Sequence, residues 1–126
     1  MPHLNLEYSA NVEQSIDYSA LFAAVHRVLN EVGGVNLNNC KSRARKLDVF
    51  YLGDGSEKHA LVHLEIALLE GRTPEVKSAV TAAVLELLRE CYQPSLQTLD
   101  LQISVEMRDI ERGPYAKFPG GTLTPM

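Results

Sequence analysis

The chain has 126 residues, the size of one ordinary domain, and 45% of them are apolar while 22% are charged. That balance builds a core and excludes a disordered chain. Sixteen acids against twelve Lys and Arg give a net charge of −4, which as a bulk effect repels nucleic acid and anionic membranes. No apolar run reaches the roughly 18 residues of a membrane-spanning helix. The opening MPHLNLEYS has neither a basic nor an apolar leader segment, so no secretory signal is expected and the predicted location is cytoplasmic.

In chain order, residues 3–8 alternate apolar with polar and read as a short strand. Residues 17–32 read as a helix. Leu21, Phe22, Val25, Val28 and Leu29 recur at spacings of three and four, and Gly33-Gly34 stops the pattern. Residues 41–52 read as a long strand with a basic first half, followed by the turn Gly53-Asp54-Gly55. Residues 59–69 form the next strand, predicted to pair with 41–52 as a hairpin. The second helix carries the best start signal in the chain: Thr73 as cap, Pro74 at the first helical position and Glu75 against the positive dipole end. Its apolar stripe runs to about residue 92, and Pro94 is expected to end it. Residues 97–107 read as the last strand, and the tail from Gly113 as irregular.

The order βαββαβ predicts an α/β (α+β) fold over residues 1–126, a single domain with a four-stranded mixed sheet and two helices on one face. The sheet's other face is left uncovered. Because Leu61 and Ala67 fall on the parity opposite Val62, Leu64 and Ile66, that face is expected to be buried by further copies of the chain. Cys40 and Cys91 are expected to be reduced, partly buried thiols, since neither has a metal-ligand or redox spacing. His59 and His63 lie four apart but on a strand, without further ligands at zinc spacing, so no metal site is expected.

Three features could carry chemistry. A proline behind the initiator Met normally becomes the first residue, and its secondary amine then has a free lone pair. An α-amino group starts near pKa ~7.7–8.0, and nearby cations or burial lower that value until the amine is a base near neutrality. Met-Pro is also simply a common start, but a strand beginning at residue 3 would fix the amine of Pro2 in place. Lys41, Arg43 and Arg45 share one parity, so one strand face presents three cations. They form either an anion site or a solvated strand start. Arg72 precedes the capped helix and is placed either to clamp a carboxylate or to lie free on a surface loop. Together, a base and several cations suit removal of a proton beside a carboxylate.

Pro2-His3-Leu4 followed by Glu7-Tyr8-Ser9-Ala10-Asn11 resembles the N-terminus of the 5-carboxymethyl-2-hydroxymuconate isomerase family, within the tautomerase superfamily. The resemblance continues through Lys41-Ser42-Arg43-Ala44, Asp54-Gly55, His59–His63 and Gly71-Arg72. It implies β-α-β units, usually assembled as a trimer, and a small anionic substrate of aromatic-compound breakdown (the homoprotocatechuate route). No cofactor or metal is implied. On this resemblance Pro2 is the catalytic base and Arg72, Arg43 and Lys41 bind substrate. Leu4, Leu37 and Phe50 are candidates for an apolar wall. In two places the chain departs from the family. Lys41 stands where the family usually has arginine, which keeps the charge but loses the bidentate fork. Lys117 is followed by Phe118-Pro119-Gly120-Gly121 instead of the family's Asn pair and His. The competing readings are a non-catalytic binding protein for aromatic or dicarboxylic acids, and a structural trimer whose cations serve interface ion pairs.

Overall fold

Alternation at the N-terminus produces the first strand, β1 (His3–Ser9), which sends Leu4 and Leu6 into the core and His3, Asn5 and Glu7 the other way. The structure, a computed structural model, describes residues 2–13 and 15–118. Helix α1 (Tyr18–Glu31) follows and buries Leu21, Val25 and Leu29. Its cap is Asp17, whose carboxylate accepts the Ala20 amide at 3.1 Å. A 3-10 turn, Leu37–Asn39, leads into β2 (Lys41–Leu47), and β3 (His59–Leu69) comes next. Helix α2 (Pro74–Cys91) starts as its sequence signal requires: Thr73 Oγ1 accepts the Val76 amide and Pro74 opens the first turn. A short helix α3 (Gln93–Thr98) and strand β4 (Asp100–Ile110) complete the order.

The sheet runs β2-β1-β3-β4. β1 pairs with β2 and β3 with β4, both parallel, while β1 and β3 meet antiparallel in the centre. Each α-helix thus bridges one parallel pair, and the two β-α-β units join back to back. This overturns the predicted hairpin between residues 41–52 and 59–69, because β1 lies between those strands. Apolar content decides the places. β1 and β3 bury Leu4, Leu6, Val62, Leu64 and Ile66, whereas β2 offers Ser42, Ala44 and Lys46 to the helix side and takes an edge. The basic strand also stops at Leu47, short of the predicted 52. Pro94 does not merely end α2 but sits in the first turn of α3, which pushes the last strand from 97–107 to 100–110.

Leu29 of α1, Val80, Val84 and Leu88 of α2, and Tyr92 close over the sheet's apolar face. Tyr92 is fully buried, and its hydroxyl lies 3.0 Å from that of Tyr18. Burial pushes the Tyr92 phenol up to about 12, so the pair stays neutral. The opposite face is polar. Glu7 pairs with Arg45, Glu65 with Arg108, and His63 faces Ser104 and Glu106. Leu61 and Ala67 are exceptions on that face, so aliphatic residues on both parities of β3 are a weaker signal of a covering partner than the sequence suggested. Both cysteines are free and half-buried, and burial pushes both thiols up. No helix among the described residues is long and apolar enough to cross a membrane.

Candidate active site

Strand order dictates which residues meet. His3 opens β1 opposite Lys41 on one side and Ala67 on the other. One end of the sheet therefore gathers the starts of β1 and β2 and the ends of β3 and β4. Pro2 stands there, fully buried, and its carbonyl accepts the Lys41 amide at 3.1 Å. By the alternation of β1 its ring lies on the helix side with Leu4 and Leu6. A strand does begin at residue 3, and its pairing with β2 extends back to the Pro2 carbonyl. Met1 lies outside the described residues.

Lys41 and Arg43 occupy the open side of the same strand end. Lys41 is exposed, with Nζ donating to the Asn39 carbonyl at 3.0 Å. Arg43 Nε donates to Asn5 Oδ1 at 2.7 Å, and its Nη1 donates to His3 Nδ1 at 3.2 Å. A guanidinium has no acceptor, so His3 Nδ1 carries no proton and Nε2–H donates to the Tyr115 hydroxyl, 3.3 Å away. Arg43 thereby selects one neutral tautomer of His3. Burial, then the charges of Arg43 and Lys41, hold the His3 pKa below the ordinary imidazole value. The Tyr115 phenol, accepting from His3, keeps its own proton for another acceptor.

Arg72 approaches from the helix side. Gly71 precedes it at φ +129, a conformation that side chains strain to adopt, and this turns the chain sharply out of β3. Arg72 is half-buried, and its Nε donates to the Gly33 carbonyl behind α1 at 2.9 Å. The Gly33-Gly34 stop predicted from sequence thus serves the site as well as the helix. Arg45, the third cation of the basic strand, is not free: Glu7 neutralises it beside a cavity of about 390 Å³ lined by Asn5, Leu6, Glu7, Arg43, Ala44 and Arg45.

Among the described residues, Lys41, Arg43, Arg72 and also Arg112 have no carboxylate within ion-pair distance, although all four lie at this end of the sheet. Their neighbours Lys77 and Arg108 are paired, to Asp109 and Glu65. Of the expected apolar wall, Leu4 is sealed in the core, Leu37 is exposed near the start of β2, and Phe50 lies beyond the opposite end of β2. Sequence reasoning missed His3, Arg112 and Tyr115. His3 shares the strand-end position of Pro2 and could have been found from it. Arg112 and Tyr115 sit in an irregular segment with no pattern to point at them. The tail departure at Pro119-Gly120-Gly121 lies outside the described residues.

A sequence profile of the 5-carboxymethyl-2-hydroxymuconate isomerase family matches residues 2–118. The chain belongs to that family. It is 27% identical over 110 residues to the 5-carboxymethyl-2-hydroxymuconate Delta-isomerase of Escherichia coli, covering 87% of each protein. Among solved structures it resembles a 5-carboxymethyl-2-hydroxymuconate isomerase from Deinococcus radiodurans R1, with a TM-score of 0.83 and 27% identity over 92% of this chain and 87% of that one. A fused 4-OT solved as a symmetric trimer shares the fold at a TM-score of 0.73 and 20% identity, over 94% of this chain and 93% of that one. Family membership makes this chain an isomerase of the tautomerase type.

Proposed function

We propose that the protein interconverts a 2-hydroxymuconate-type dienol and its conjugated ketone during breakdown of an aromatic compound, with Pro2 as the proton shuttle. One observation carries the reading: a buried proline at position 2 shares its strand end with cations that lack carboxylate partners among the described residues, in a chain with more acids than bases. Once Met1 is removed, the Pro2 nitrogen is a secondary amine. Burial and surrounding positive charge both disfavour its protonated form and bring it to neutrality.

The neutral amine takes the proton from the 2-hydroxyl and leaves a dienolate. The resulting ammonium returns that proton to a carbon further along the conjugated chain, and the product is the conjugated ketone. Charge that develops on the dienolate meets cations already held in position: Arg72 by the Gly33 carbonyl, Arg43 by Asn5 and His3. Lys41, Arg43 and Arg72 also hold the substrate's carboxylates. Lys41 does so as a point charge, without the fork of an arginine. The working form is a cytoplasmic homotrimer, supported by the structure of the same fold solved as a symmetric trimer and by β2 and β4, which stand at the two edges of the sheet.

The test compares Pro2→Ala and Arg72→Ala with the unchanged protein in ketonisation of a 2-hydroxymuconate, after mass spectrometry has verified loss of Met1. Both variants should slow turnover, each by about 10²-fold or more. Full activity in both removes the mechanism. Tight binding of a muconate with no turnover by the unchanged protein would make it a binding protein for dicarboxylic acids instead.

A further inference from the structure

We propose that Arg112 is a specificity-determining residue of this site, a further carboxylate ligand that selects substrates carrying a second carboxylate. The inference rests on the tautomerase reading and deepens it. Arg112 follows β4 and folds back over the end of β3. Its amide donates to Glu70 Oε2 at 2.9 Å, and its Nη2 donates to the Glu70 carbonyl at 3.0 Å. The guanidinium lies over Gly71, where an added Cβ would come within 3.7 Å of Nη2. Arg72 is the next residue. The chain continues from Arg112 through a turn, closed by the Tyr115 amide on the Arg112 carbonyl at 3.3 Å, to the phenol that meets His3. Arg112 is thus tied to both halves of the site.

One terminal nitrogen of the guanidinium carries the inference. Arg112 Nη1 is wholly shielded from solvent and has no hydrogen-bond partner, the one such side-chain nitrogen or oxygen among the described residues. Glu70 is the acid that Arg112 touches, yet its carboxylate accepts the Arg112 amide, and among the described residues neither Glu70 nor the adjacent Glu111 makes an ion pair with the guanidinium. Although Arg112 as a whole is half-buried and its Nη2 is satisfied, a shielded donor nitrogen with no acceptor is costly, and a ligand oxygen is one way to complete it. The acceptor that fits is an anionic oxygen, and a planar guanidinium fits a carboxylate best. With Arg72 one residue beyond Gly71, the end of β3 presents two guanidinium groups, enough for a substrate with a carboxylate at each end.

The experiment uses the mature protein and its Arg112→Gln and Arg112→Lys variants. Kinetics are measured on 2-hydroxymuconate, with two carboxylates, and 2-hydroxypenta-2,4-dienoate, with one. Arg112→Gln should lower the ratio of kcat/KM for the two-carboxylate over the one-carboxylate substrate by about 10–100-fold, mostly through KM, with Arg112→Lys between. Its Tm should hold or rise, because a shielded donor without an acceptor has been removed. An unchanged ratio, or a fall on both substrates together with a lower Tm, overturns the proposal and leaves Arg112 a loop brace. Equilibrium binding of unreactive muconate (dianion) and sorbate (monoanion) separates this from the fate of the Pro2 reading. If nothing turns over but Arg112→Gln weakens muconate selectively, the Arg112 assignment stands while the Pro2 mechanism falls. If both acids are weakened alike, the Arg112 assignment falls whatever Pro2 does.

Discussion

The two ends of the sheet use similar residues to opposite electrical effect. At the end where β3 begins, His59 is clamped between Asp54 Oδ1 at 2.9 Å and Asp100 Oδ2 at 3.2 Å, and the Asn11 side-chain amide holds its carbonyl. Histidine and acid there satisfy each other. At the end where β1 begins, His3 is held by Arg43 and Tyr115, burial and cations lower its pKa, and four basic side chains stand without a carboxylate among the described residues. Surface ion pairs contribute little stability, so pairing at the first end is ordinary surface chemistry. Cations left without a carboxylate among the described residues, at the sheet end that holds a buried proline, are not, and the proposed reaction uses them to hold an anion.

The largest test of that contrast blocks the amine. A glycine placed ahead of Pro2 and retained in the mature chain converts its nitrogen to an amide. Turnover should then fall by roughly 10²–10⁴-fold while Tm hardly moves. Activity that survives an acylated Pro2, verified by mass spectrometry, would erase the chemical distinction between the two ends.

Next comes a comparison within one strand. Arg43→Gln removes an unpaired cation and releases the His3 tautomer, so kcat/KM should drop by about 10-fold or more. Arg45→Gln removes a cation that Glu7 already neutralises, and should stay within about 3-fold. Equal losses would mean that pairing status does not identify the functional cations. At the far end, His59→Gln should lower Tm by a few degrees and leave steady-state kinetics unchanged; slower ketonisation would show that this end also serves the reaction.

The smallest expected effect is on stability against pH. Burial lowers the folded-state pKa of His3 and of His26, whose Nε2 lies 2.7 Å from Ser42 Oγ. Below the ordinary imidazole value, about 6.5, the unfolded chain binds protons that the folded chain refuses. Stability from these two groups is thus complete above that pH and declines as pH falls toward their folded values. Urea titrations between pH 7.5 and 5 should show the decline, and His26→Gln should flatten part of it. An acid limb identical in the variant would assign the loss to other groups.

Local patterns were legible wherever neighbours in sequence are also neighbours in space. Thr73-Pro74-Glu75 named the start of α2, the three-and-four spacing from Leu21 to Leu29 named α1, and a run dense in aliphatics named β3 to the residue. Pro2, Lys41, Arg43 and Arg72 could be named as candidates because their residue types are unusual in their places. The pairing of strands was less legible. A turn at Gly53–Gly55 suggested a hairpin, but burial of Leu4 and Leu6 needs a central place for β1, and that demand from the core outweighed the local turn.

The sequence by itself determined the order of elements, the two helices, and a proline amine followed at once by a strand. The tertiary structure alone decided which cations stay unpaired, that Arg43 sets the tautomer of His3, and that Arg112 and Tyr115 return to the start of β1. The reason is physical: periodicity records how a segment buries one side of itself, whereas charge pairing depends on distances between segments far apart in the chain, which exist only after the sheet has ordered its strands.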